Sequence, residues 1–400
     1  MSTSRDSSPS KKDRRPSLLN IFPNLNINSG SRGPVIHPRR SFCLEGTFSR
    51  GWPPSFSRGR SPPRASSPSR PSLPFTLRMS SEYRVYPDNW RNDITVRDES
   101  VDVSAAFETT RAFMEDISSI MRSKTATADE MEDQMQEEMV KVIFGSNNIE
   151  RVGLGYDETF RLCLAVFRGE CITPYPARSA AYQSKLEELV KKDLNPGESA
   201  VVRGRREVVQ HAAAFQHLLE AFVKFDQPIT EDLIKETHRI LTTGLSGTDS
   251  GHFDYQDFGG KYRKAGESAF GGSHEFAKPS EIPKAMNSLV QNLAKDIETI
   301  ETTRNIDPFM LAASYCDRFV NIHPSRDGNG RMCRMILNAI LVKYAGIVVA
   351  LGEKDQDRDE YLLIAQESAT VGGHAGQLAK LVLDSAQGTL KKLKNKLSKR

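Results

Sequence analysis

The sequence predicts a mainly α-helical protein with one small β-hairpin, preceded by a disordered arm. Three observations carry this. From about Asp102 onward, apolar residues recur at three- and four-residue intervals, the period of a helix face. Thr230 and Asp307-Pro308 supply the cap and first-turn chemistry that opens helices. One stretch, 251–278, breaks the period: it holds six glycines, several aromatics and Lys261-Tyr262-Arg263-Lys264, and predicts loop and hairpin.

Residues 1–80 come first. They are rich in Ser, Pro and Arg, and such composition cannot bury enough apolar surface to offset chain entropy, so a disordered arm is expected. A transit peptide, or translation starting at Met79, would give the same composition. Helical sequence begins near Asp102. A helix over about Asp129–Phe144 carries Met131, Met135, Met139 and Val142 on one face, a stripe expected in the core. Residues 153–200 are less regular, with a helix near Ser179–Lys192 and a break at Pro196-Gly197. Further helices are expected over Arg206–Phe225, Thr230–Thr243, Pro283–Ile300, Asp307 to about His323, Asn329 to about Tyr344 and Asp357–Ala369. Pro324 disfavours helical backbone at His323, so the helix from Asp307 must loosen there. Lys391 to Arg400 read as a solvated basic tail.

Charge is unevenly spread. The arm holds fourteen Lys/Arg against three acids, a net +11 in a chain of net +4, which leaves −7 on residues 81–400. A global basic character suited to nucleic acid is therefore excluded from the helical part, and no specific nucleic-acid partner is expected. Five cysteines (Cys43, Cys163, Cys171, Cys316, Cys333) form no CxxC and match reduced, intracellular usage, so a cytoplasmic location is expected, with organelle targeting by the arm left open. Histidines show no metal-ligand spacing. The most apolar late stretch, Met335 to Leu351, is interrupted by Asn338 and Lys343; it reads as a buried helix, and no membrane partner is expected.

The informative segment is His323-Pro324-Ser325-Arg326-Asp327-Gly328-Asn329-Gly330-Arg331-Met332-Cys333-Arg334. A helix ends, a Gly-rich turn follows and a new helix begins. The first turn of a helix offers free N–H groups and a positive dipole end to an anion. Gly328 and Gly330 let a phosphate approach the backbone. Arg331 and Arg334, three apart, share a helix face and can present guanidinium forks. Asp327 is a lone carboxylate at the mouth, the usual means of holding Mg²⁺ on phosphates. His323 has the pKa suited to taking a proton near neutrality. These parts suffice for phosphoryl or nucleotidyl transfer to an alcohol.

The segment resembles the Fic signature, HxFx(D/E)GNGRxxR, and the Gly-rich GKYR segment about sixty residues upstream fits the same family. The resemblance covers roughly residues 201–388, with a core of about 229–372. It divides the chain into the arm (1–80), a helical region (81–200), a Fic domain (201–388) and the tail (389–400). It implies a Fic-type helical fold and transfer of AMP from ATP, with Mg²⁺, to a Ser, Thr or Tyr hydroxyl of a protein substrate. His323 would be the general base, Asp327 the Mg²⁺ ligand, and Gly328, Asn329, Gly330, Arg331 and Arg334 the nucleotide-binding residues. The family's usual Phe is Ser325 here, which forgoes apolar burial worth about 1.5–3 kcal/mol.

A second match, Ser146-Asn147-Asn148-Ile149-Glu150-Arg151, resembles the autoinhibitory motif (S/T)xxxE(G/N), except that Arg151 replaces Gly or Asn. It implies that Glu150 pairs with Arg334. The hairpin near Gly260–Gly272 resembles the family's flap, with Lys261, Tyr262, Arg263 and Lys264 as target-docking residues. Tyr361 lies where relatives place an aromatic near adenine. His211 and His238 are expected to be structural. Removal of AMP, transfer of another phosphate-bearing group and a catalytically weak scaffold are the alternatives. Both a monomer and a homodimer are left open.

Overall fold

The structure is a computed structural model and describes residues 103–123, 128–170, 200–245, 254–271, 274–303, 306–371 and 375–398, with single positions between 172 and 191. The expected arm, most of the expected 179–192 helix and the Pro196-Gly197 break lie outside the described residues.

The described chain is built of helices: α1 (Val103–Arg122), α2 (Ala128–Ile149), α3 (Tyr156–Phe167), α4 (Ala200–Leu219, extended by a wider turn over Glu220–Lys224), α5 (Glu231–Thr242) and the single turn α6 (Tyr255–Phe258). The strands β1 (Phe270–Gly271) and β2 (His274–Glu275) follow, and then α7 (Ile282–Thr303), α8 (Pro308–Ile322), α9 (Asn329–Ala345), α10 (Asp355–Val371) and α11 (Gly376–Ser398). The strands pair antiparallel, Phe270 opposite Glu275 and Gly271 opposite His274. The fold is mainly α with a small hairpin, as the sequence predicts.

Local chemistry sets the helix ends that matter. Thr230 caps α5 through its hydroxyl, which accepts from Leu233 N–H, and Asp307 caps α8 by accepting from Phe309 and Met310 N–H. Helix α9 is the axis of the molecule. Every residue from Asn329 to Ala345 except Gly330 is buried, and α4, α8 and the end of α2 pack around it. A helix covered on all sides cannot shift without opening the core, so its N-terminus is a fixed point. Met131, Met135, Met139 and Val142 are buried, as expected.

Three expectations are corrected. Residues 153–170 contain the helix α3, whose Leu162, Cys163, Val166 and Phe167 are buried against α2 and α4. Helix α2 continues beyond Phe144 to Ile149, so Ser146 to Ile149 form its last turn instead of following it. The basic tail is no solvated strand of charge. Residues up to Ser398 belong to α11, which packs on α1 and buries Leu390, Leu393 and Leu397. Two of its lysines pair with acids of neighbouring helices: Lys394 with Asp116 at 2.6 Å, Lys396 with Glu137 at 2.8 Å.

Candidate active site

The turn between α8 and α9 holds the residues singled out in the sequence. His323 closes α8 in the left-handed region, φ 50°, because Pro324 bars the helical alternative. Gly328 precedes α9 with φ 80°, a conformation glycine adopts without strain. The amide N–H groups of Asn329, Gly330 and Arg331 then have no acceptor within the helix.

The turn is braced from inside. Asn329 Oδ1 accepts from Ser325 N–H at 2.9 Å, and Asn329 Nδ2 donates to Ser325 O at 2.7 Å. Both ends of this amide brace the turn, and its second Nδ2–H and its backbone N–H remain for an anion. Ser325 is itself buried. His238, on α5, ties the turn to its surroundings. Its Nδ1 accepts from Gly260 N–H at 2.9 Å, so Nε2 carries the proton and donates to Asp327 O at 2.8 Å. Burial lowers its pKa and keeps it neutral in this role.

Arg263 is also a brace. It is buried; its Nε donates to His323 O at 2.7 Å, Nη1 to Glu267 O at 2.6 Å and Nη2 to Ala277 O at 2.7 Å, while its N–H reaches Pro324 O at 2.8 Å. Its Nη2 also lies 3.5 Å from Ile322 O, and a buried fork turned to four internal carbonyls corrects its assignment to target docking. Tyr262 is half-buried beneath the Lys235 ammonium, 4.4 Å from its ring. Lys261 and Lys264 are exposed.

His323 presents a restrained imidazole. Nδ1 lies 3.3 Å from Val320 O, and the Phe276 ring stacks on the imidazole at 4.1 Å and 9°. Burial, assisted by the Arg263 charge, pushes its pKa down to about 4; Glu150 and Asp327 act in the opposite sense. At neutral pH it is a free base. Burial pushes the Asp327 carboxyl up, but Arg331, Arg203 and the Gly328 N–H more than offset this and hold it below its ordinary value.

The anion-binding features converge on Gly330. Arg331 is buried; its Nη2 reaches Asp327 at 3.3 Å, while Nε and Nη1 have no partner. Two buried guanidinium donors facing no acceptor are costly unless a ligand supplies one. Arg334 donates from Nε to Ser146 Oγ at 2.8 Å, from Nη2 to Ser146 O at 3.0 Å and to Glu150 Oε1 at 2.6 Å. Tyr361 stands beside it, with Arg334 Cζ 5.4 Å from the ring centre. The Glu150 carboxylate rests on Gly330 so closely that a methyl group added there would collide with Oε1. A carboxylate thus sits where the helix end attracts an anion.

The end of α2 is shaped to place Glu150. Val152 N–H returns to Asn147 O at 3.0 Å, and Arg151 takes φ 56°. That is the left-handed helix terminator usually filled by Gly or Asn, which explains why the related motif carries those residues here. Arg358, from α10, donates to Ile149 O at 3.0 Å, and Asn148 Nδ2 donates to Gly352 O at 2.9 Å.

The sequence reading missed Phe276 and Arg358 and gave His238 no defined task. Phe276 belongs to no motif, and nothing in a helical pattern marks a histidine that bridges two loops.

Among the described residues, no group of three or more His, Cys, Asp or Glu could hold a metal. Any Mg²⁺ would therefore use the Asp327 carboxylate, whose side chain is 34% exposed, together with phosphate oxygens. Among the same residues no helix is long and apolar enough to cross a membrane.

A buried arginine fork, a carboxylate and a neutral imidazole thus surround one helix N-terminus in a helical fold. Comparison with known proteins gives the family. The Fic/DOC family profile matches residues 228–341. The chain is 34% identical over 136 residues to a Fido domain-containing protein of Dictyostelium discoideum, an alignment covering 33% of this chain and 89% of that one. It is 30% identical over 167 residues to the protein adenylyltransferase Fic of Nematostella vectensis, covering 42% of this chain and about a third, 34%, of that protein. Fic-1 from C. elegans superposes with a TM-score of 0.50 at 18% identity, over 72% of each chain, a likeness of fold. This chain belongs to the Fic/DOC family.

Proposed function

We propose that this chain transfers AMP from ATP to a Ser, Thr or Tyr hydroxyl of a protein and is held back by Glu150. The observation that carries the reading is the buried Arg331 fork with two unpartnered donors beside a helix end already capped by a carboxylate. A relative named as a protein adenylyltransferase supports the same class. The proposed division of the chain is an arm (1–80), a helical region bearing the latch (81–200) and a Fic domain from 201, into which α11 is now drawn.

His323 Nε2 takes the proton of the incoming hydroxyl, whose oxygen attacks the α-phosphorus. The bond to the bridging oxygen breaks and pyrophosphate leaves. The α9 amides and Arg331 hold the phosphate oxygens, and Asp327 is the carboxylate that would hold Mg²⁺. The ion, when bound, neutralises phosphate charge. Arg334 is the remaining cation for the terminal phosphate, and Glu150 occupies it until displaced. Lys261 and Lys264 flank the flap on the target side.

The test is intact mass after incubation with ATP and Mg²⁺. Glu150→Gly should gain one AMP per molecule or more, and His323→Ala in the same background none. Equal labelling of both, or none of either with ATP bound, overturns the reading.

A further inference from the structure

Beyond β2 the chain lays the Phe276 ring parallel on His323, with centroids 4.1 Å apart and planes 9° apart. The ring is held from several sides. Phe276 N–H donates to Ala269 O at 3.0 Å. His274 meets it edge-on at 5.4 Å and 79°. Gly271 backs it so closely that a Cβ there would lie 2.8 Å from Cζ. On the imidazole, Val320 O faces Nδ1, and the backbone at φ 50° fixes where the side chain starts. Backbone, one ring edge and one ring face are thus all engaged, and Nε2 is the nitrogen left over.

We propose that Phe276 is a positioning residue for His323: its ring fixes the imidazole in the one orientation that presents Nε2 to the incoming hydroxyl. This rests on His323 being the base. The stack serves both protonation states. A neutral imidazole packs on the phenyl face, and the imidazolium formed on proton transfer gains a cation–π contact with the same face. Arg263 opposes that positive charge, while Glu150 and Asp327 favour it. The flap, through Phe276 and the Arg263 brace, thereby holds the catalytic turn as well as flanking it.

The experiment uses the Glu150→Gly chain as parent and compares Phe276→Tyr, which keeps a flat face, with Phe276→Leu, which keeps bulk alone. Automodification rate is measured against ATP concentration. Phe276→Leu should lose about tenfold or more in the rate at saturating ATP, as expected for a displaced reacting group, with half-saturation unchanged. Phe276→Tyr should stay near the parent. Equal rates for Leu and Tyr, or a loss confined to ATP half-saturation, overturns the proposal. A readout independent of activity and of the variants' folding is the His323 Cε1–H resonance of the parent. Stacking shifts it upfield, and its absence from that position also overturns the proposal. His323→Ala separates the two claims. Transfer persisting without His323 sinks the base assignment, whereas transfer that needs His323 but not a flat ring at 276 sinks this inference alone.

Discussion

Glu150 and Arg334 meet at 2.6 Å above Gly330, although 184 positions separate them in the chain. Arg334 is buried and keeps three further hydrogen bonds, two to Ser146 and a long one, 3.5 Å, to the Tyr361 hydroxyl. Losing the carboxylate therefore does not leave the guanidinium bare. Glu150 is 35% exposed, so its removal should cost only about 1 kcal/mol of stability. Its effect on labelling should be much larger. Glu150→Gly is expected to raise automodification by at least roughly tenfold, the effect of a ~1.4 kcal/mol latch. Equal labelling of wild type and variant by intact mass would count against the latch.

Arg151 tests the latch from the other side. A side chain in the left-handed region costs about 1–2 kcal/mol, and its ion pair with Asp355 is an exposed one that returns little. Arg151→Gly should raise the melting temperature by a few degrees and lower basal automodification, because the turn that places Glu150 is then unstrained. A lower melting temperature would contradict this.

Stability should depend on pH through buried histidines. Burial depresses the pKa of His211, His238 and His323. The unfolded chain binds protons near pH 6.5, while each folded imidazole takes its proton at lower pH, His323 only near 4. Stability is therefore full above about pH 6.5 and falls as the pH drops towards 4, by up to about 1.4 kcal/mol per unit for each histidine. Denaturation from pH 8 to 5 measures the slope. His238→Gln should make the slope shallower, and a flat profile in the parent would refute the linkage.

Arg263→Lys is the sharper probe of the brace. An ammonium cannot span three carbonyls that point from different directions. Losing two charge-assisted bonds should cost roughly 3 kcal/mol and depress transfer, even though residue 263 touches no ligand in this reading. Thermal melts and labelling check the two parts; full stability in the lysine variant would refute the brace.

Deleting 389–400 tests α11. Leu390, Leu393 and Leu397 are buried, each worth about 1.5–3 kcal/mol. The deletion should lower the melting temperature by roughly 10 °C. A solvated tail would leave it unchanged.

The helices and the turn were legible because both have local causes. Periodicity, Thr230, Asp307-Pro308 and the His323–Arg334 spacing act within a few residues. What escaped were assignments decided by distant partners. Arg263 looks like a surface cation until Pro324 and His323 fold over it. Asn329 has a second task, bracing Ser325 through both ends of its amide, that no local pattern announces. The α11 lysines masked Leu390, Leu393 and Leu397, whose spacing is helical but whose charge density resembles a tail. Helix α3 was hidden by its short length beside an irregular stretch.

The missing methyl of Gly330 has a further consequence. The floor that admits the Glu150 carboxylate is the same floor a nucleotide phosphate would need, so any larger residue there would evict occupant and substrate together. Release from restraint must then be achieved from the α2 side, and a screen for hyperactive variants should return hits near 145–151 and 352–358 and none at 330.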